Sequence, residues 1–172
     1  MFLDFIKDFF IKRTLKKSLS NVINHFSSEK IQSIGILIDE STFDKTKALV
    51  QKINENAVVK NNISLLIYKD KIKKEEVIKY PFLSWKDVSW IGSIEKPEVK
   101  QFMAQKFDML ISYYDVEKAP LMMITLKSNA RFKVGFSTID KRLNHFMIDT
   151  NVEKQEVFTN ELIRYLKILN KI

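Results

Sequence analysis

The sequence predicts an α/β fold: a three-layer, Rossmann-like, mostly parallel sheet of five to six strands with helices on both faces, preceded by a long N-terminal amphipathic helix. Three observations carry this reading. Short continuous apolar runs alternate with helix-length segments, the pattern of a parallel sheet covered on both faces. Glycine and proline number only three each in 172 residues, too few for the many tight turns of sandwiches, barrels and repeat arrays. With 45% hydrophobic residues and a length suited to one domain of roughly 100–200 residues, the chain is expected to bury one large core. Residues 1–30 are assigned to the N-terminal helix and residues 31–172 to a single α/β domain.

Along the chain, Phe2, Phe5, Ile6, Phe9, Leu15, Leu19, Val22, Ile23 and Phe26 recur at close to helical spacing. Phe10 and Ile11 broaden that apolar face, and Lys12, Arg13, Lys16 and Lys17 form a basic block midway. Ser33 to Ile38 is a continuous apolar run, read as a strand buried on both faces. Ser41 and Asp44 have the spacing of a capping box for a helix whose face is Leu49, Val50, Ile53 and Ala57. Ile63 to Tyr68 reads as a second buried strand, and 69–87 as the least regular part of the body. Val88 to Ile91 is expected to be a short strand, and Pro97 suits the first turn of a helix lined by Val99, Phe102 and Met103. Phe107 to Tyr113 is the strongest strand. Pro120 opens a helix, Leu121 to Leu126, that is apolar almost all round and should be thoroughly buried. Arg131 to Phe136 alternates, which puts Phe132 and Val134 inward and Lys133 toward solvent. His145 to Ile148 is a last short strand. The link before it, Ser137 to Asn144, is shorter than the usual parallel crossover of about a dozen residues, so an antiparallel or displaced edge strand fits. Thr150 and Glu153 can cap a final helix with the face Phe158, Leu162, Tyr165, Leu166 and Leu169.

The chemistry is mostly negative. Cysteine is absent, which excludes disulfides, thiolate metal sites and a cysteine nucleophile. The two histidines, His25 and His145, are too few for a three-histidine metal site, and no metal or cofactor is expected. The turn after the first strand, Asp39 to Phe43, has no glycine, so the backbone cannot approach a pyrophosphate, and dinucleotide and P-loop fingerprints are missing. Ligands of parallel sheets bind at the carboxyl ends of strands. There Asp39, Glu40 and Asp115 are the candidate ligand-binding residues, able to hold Mg²⁺ or act as acid and base, or simply to cap the following helices.

The net charge of +8 divides into +3 for residues 1–30, +1 for 31–126 and +4 for 127–172. Lys127, Arg131, Lys133, Lys141 and Arg142 form the densest basic patch. Only four of the 29 basic residues are arginine, which argues against bidentate base or phosphate readout and hence against specific nucleic-acid binding. No stretch approaches the roughly 18–20 apolar residues of a spanning helix, and Asp4, Lys7 and Asp8 interrupt any signal-like run, so a cytoplasmic location is expected.

Phe107 to Tyr114, Ala119-Pro-Leu121 and Leu126 to Phe136, with Trp85 to Gly92, together resemble an uncharacterised bacterial family of small α/β proteins without assigned function. More distantly, Asp108, Ala130-Arg131, Gly135-Phe136 and Asn144-His145 are similar to the N-terminal half of heptosyltransferase-type (GT-B) glycosyltransferases. That resemblance implies a shared sheet. It also implies a missing donor domain, because the cleft of such enzymes lies between two halves and this length supplies one.

The leading expectation is a non-catalytic cytoplasmic domain that acts through protein association, as a homo-oligomer or with a partner on the N-terminal helix. One alternative is a small-ligand or metal-dependent enzyme using Asp39, Glu40 and Asp115. The other is peripheral membrane or RNA binding through the basic ends.

Overall fold

A computed structural model describes residues 2–19, 29–56, 62–72 and 78–172. Helix α1 spans Phe2–Ser18 and strand β1 Ile34–Asp39, followed by α2, Thr46–Asn56, and β2, Ile63–Lys69. Then come β3, Phe82–Ser84, and α3, Pro97–Ala104. Strand β4 is Met109–Tyr113, α4 is Ala119–Lys127, β5 is Phe132–Phe136, β6 is Phe146–Ile148 and α5 is Gln155–Ile168. The strands form one six-stranded sheet in the order β3-β2-β1-β4-β5-β6, and every pairing is parallel. The α/β expectation holds, and the last strand is a parallel edge strand, with Val134 to Phe136 paired to Phe146 to Ile148.

Burial explains the central strands. All six residues of β1 and all five of β4 are buried, so their continuous apolar runs are what a doubly covered sheet demands. Consecutive residues face opposite layers: the Ser112 hydroxyl lies 3.0 Å from that of Thr125 in α4, while the Tyr113 ring packs edge-on against Phe158 of α5 at 5.0 Å. Helices α2 and α5 share the Tyr113 face, and α1 packs on α4 on the other.

Helix α1 therefore lies outside α4 as an additional cover, and α4 is sandwiched between it and the sheet. This accounts for a helix whose residues Ala119 to Thr125 are all buried. The inward face of α1 is Lys7, Ile11 and Leu15, continued by Leu19 just past its end, spaced by four. Phe5 and Phe9 point outward, at 70% and 54% exposure, contrary to the apolar face expected from periodicity. Helical spacing in this segment offers two apolar stripes, and the docked one includes a lysine. The Lys7 ammonium donates to the Val88 carbonyl and lies 4.8 Å from the centre of the Trp85 ring, so its charge is satisfied where hydropathy would not place it. Val22, Ile23 and Phe26 lie outside the described residues.

Four further expectations are corrected. Val88 to Ile91 is not a strand: Val88 makes one isolated antiparallel bridge to Ile94, and Trp90 and Ile91 sit on a turn. The edge strand opposite β6 is Phe82–Ser84, inside the segment read as least regular, where a three-residue strand offers too little pattern to detect. Ser41 does not cap α2, because its hydroxyl accepts the Asp70 N–H at 2.8 Å, tying the end of β2 to the β1 turn. Helix α5 begins at Gln155 with Lys154 at its cap, beyond the expected Thr150.

A Cβ on Gly35 would stand 2.7 Å from two atoms of the fully buried Phe107 ring. Gly35→Ala should therefore cost about 1–3 kcal/mol by overpacking. Urea denaturation should show the loss partly relieved by Phe107→Leu, and strict additivity would contradict direct contact.

Candidate functional site

The order β3-β2-β1-β4-β5-β6 reverses direction between β1 and β4, and the crevice beyond their carboxyl ends is where parallel sheets of this kind take ligands. In this protein the chain's own side chains meet there. Asp39 ends β1 and is 1% exposed. Its Oδ1 accepts the Ser41 N–H at 2.9 Å. Its Oδ2 faces the Lys118 ammonium at 2.8 Å, within ion-pair range though off the line of a hydrogen bond. Lys118, from the turn before α4, also pairs with Asp70 Oδ2 at 2.7 Å and lies 5.3 Å from the centre of the Tyr68 ring. Tyr68 donates its hydroxyl proton to Asp70 Oδ1 at 2.9 Å. One lysine thus joins the ends of β1 and β2 to the start of α4.

Lys118 is also the N-cap residue of α4 and makes no side-chain cap; a cation there opposes the helix dipole. The cap comes from α1, because Asp8 Oδ1 accepts the Ala119 N–H at 3.0 Å while its Oδ2 pairs with Lys12 at 2.7 Å. Asp4, one turn earlier, accepts the Trp85 indole N–H at 3.0 Å. The position an anion would take at the α4 N-terminus is filled by a carboxylate of α1. Beside these groups remains a cleft of about 300 Å³ lined by Asp4, Phe5, Asp8, Tyr68, Asp70, Lys71, Trp85, Lys118 and Pro120.

Electrostatics fit a closed network. Burial drives the Tyr68 phenol well above its ordinary value, and Asp70 beside it adds to the effect, so this hydroxyl donates and does not ionise. Burial alone would raise the Asp70 carboxyl, but hydrogen bonds from Lys118, Tyr68 and Ser41 outweigh it and hold Asp70 below its ordinary value.

Sequence-expected site residues go to separate partners. Glu40 diverges from Asp39: its carboxylate accepts the Thr46 hydroxyl at 2.6 Å, pairs with Lys69 at 3.3 Å and lines a different groove with residues 41–45 and Glu153. Asp115 accepts the Val152 N–H at 3.1 Å near the entrance to α5. Among the described residues, no three His, Asp or Glu side chains cluster to hold a metal ion. Lys118 was missed by sequence reasoning, although a lysine at a helix N-cap was the available signal.

The basic residues are similarly dispersed. Arg131 pairs with Glu29 and, at 3.6 Å, with Asp108. Arg142 chelates Asp140, with Nε–Oδ1 2.9 Å and Nη2–Oδ2 2.6 Å, which holds the Asp140 carboxyl at about 2. Lys133, expected in solvent, folds back to donate to the carbonyls of Thr125 and Leu126 at 2.7 and 3.2 Å, serving the last turn of α4. Burial lowers its pKa to about 8. Lys127 and Lys141 are exposed.

Two outcomes are expected. Lys118→Met should destabilise by about 3 kcal/mol by stranding the buried Asp39, and Asp39→Asn added to it should restore part of the loss; no loss in chemical denaturation would contradict the bridge. For Lys133, a folded-state pKa near 8 lies below the roughly 10.4 of an unfolded lysine. The unfolded chain then binds more protons in that window, and wild-type stability relative to Lys133→Met should rise from pH 8 toward 10. Urea midpoints of both proteins against pH check the sign; a flat or falling difference would contradict it.

No curated protein and no solved structure matches this sequence. The model of a family of unknown function, DUF6913, matches residues 7–169, from within α1 to just past α5, and the chain belongs to that family.

Proposed function

We propose that this protein is a non-catalytic α/β module that acts by docking, with residues 1–30 as the docking segment of the domain 31–172. One observation carries the reading. At the switch point where a ligand would bind, the polar groups already engage one another, and the helix that closes the crevice turns large apolar side chains outward. Phe5, Phe9 and Phe10 of α1 and Trp90 and Ile91 of the adjoining turn are each more than half exposed. Apolar side chains gathered on one part of a surface mark interaction sites. A cytoplasmic setting is part of the proposal. Among the described residues no helix is long and apolar enough to cross a membrane.

Small-ligand chemistry at Asp39, Glu40 or Asp115 is the reading this displaces. Thermal-shift measurements with Mg²⁺, nucleotides and sugar phosphates should leave the unfolding midpoint unchanged. A bound ligand at about 100 times its Kd would stabilise by about 2.7 kcal/mol, and such a gain, abolished by Lys118→Ala, would contradict the proposal. In gradient sedimentation of a native-cell extract, wild type should run heavier than a monomer and Ile91→Asp as a monomer. Wild type at monomer size would count against docking.

A further inference from the structure

The chemistry of the outward surface narrows what it docks on, an inference that rests on the docking reading above. Trp90 and Ile91 form the tip of a braced turn. The Ser89 N–H donates to the Ser93 carbonyl at 2.9 Å, the Gly92 N–H to the Ser89 carbonyl at 3.1 Å, and the Ser93 N–H to the Ser89 hydroxyl at 2.9 Å. Gly92 has φ +76°, a left-handed conformation that glycine adopts without strain. The turn therefore holds Trp90 at 59% and Ile91 at 90% exposure on a rigid projection. Lys7 fixes its base to α1 through the Val88 carbonyl.

Between this tip and α1 runs a groove of about 220 Å³ whose walls include Phe10, Ile11, Trp90, Ile91, Met123 and Lys127; among the described residues, Lys127 is the one charged group lining it. The Phe9 and Phe10 rings meet edge-on at 5.8 Å beside it. Arg13 and Lys17, three and seven residues beyond Phe10, occupy the same helical face and are exposed. Aromatic and aliphatic tips fringed by cations, without an acidic group among the described residues of the groove wall, match the interface of an anionic bilayer. The three cations beside the groove, Arg13, Lys17 and Lys127, are of the two kinds that anionic headgroups attract, each adding to binding near the lipid surface.

We propose that this surface docks on a membrane containing anionic lipid, with Phe10, Trp90 and Ile91 entering the boundary between headgroups and acyl chains and Arg13, Lys17 and Lys127 facing phosphates. Flotation of the full chain with phosphatidylcholine vesicles, with and without about one-third phosphatidylglycerol, tests it. Wild type should float with the anionic vesicles only, and less as salt rises. Ile91→Asp and Trp90→Asp should each weaken binding about tenfold or more, and Ile91→Asp should leave the thermal midpoint unchanged because Ile91 is 90% exposed. Ile91→Leu should bind as wild type does. Absence of flotation at low salt, or equal flotation by Ile91→Asp, would overturn the lipid assignment. If sedimentation velocity then showed a dimer that Ile91→Asp dissociates, docking would stand with a second copy as partner; a monomer at all concentrations, together with wild type at monomer size in the native-cell extract, would overturn both.

Discussion

The carboxyl end of this sheet depends on one lysine. Lys118 sits between the carboxylates of Asp39 and Asp70 at 2.8 and 2.7 Å, and Asp39 is too deeply buried to be left as a lone charge. Satisfying that buried carboxylate places a cation at the N-cap of α4, where the helix dipole disfavours it. The chain resolves the conflict by bringing a second carboxylate, Asp8 of α1, onto the Ala119 N–H. Helix α1 is therefore bound to the domain by polar contacts at one end and by Ile11, Leu15 and Leu19 along its length.

That placement organises the rest of the molecule. With α1 over α4, a helix apolar on every side becomes thoroughly buried. Its first turn is capped by Asp8, and its last-turn carbonyls are served by Lys133 reaching back from β5. With Asp4 and Asp8 committed to Trp85 and Ala119, α1 presents Phe5, Phe9 and Phe10 to the outside. The same contacts that close a possible ligand crevice thus create the surface on which we base function.

Much of the fold was legible because burial on both faces writes itself into sequence as uninterrupted apolar runs. Ile34 to Ile38 and Met109 to Tyr113 could be little else, and Pro97 and Pro120 mark helix starts. What was illegible involves contacts distant in sequence. Lys7 is buried because a carbonyl 81 residues away accepts its proton, and no local hydropathy records that. Lys133 alternates with inward Phe132 and Val134 and so reads as solvated, yet its stem spans to the end of α4. Asp39 was found as a candidate, but its partner Lys118 lies on another loop, and Glu40 and Asp115 are drawn to different neighbours. Trp90 and Ile91 look like a strand because their side chains favour one; a tight turn at Gly92 overrides that preference.

At the switch point, the anion position at the α4 N-terminus is filled by Asp8 of the chain's own helix. Native-state hydrogen exchange at the Ala119 amide, whose proton is held by Asp8, tests it most directly. A filled position predicts that this amide exchanges only with an opening free energy near that of global unfolding. Exchange through a local opening of far lower free energy, with the sheet amides still protected, would contradict it.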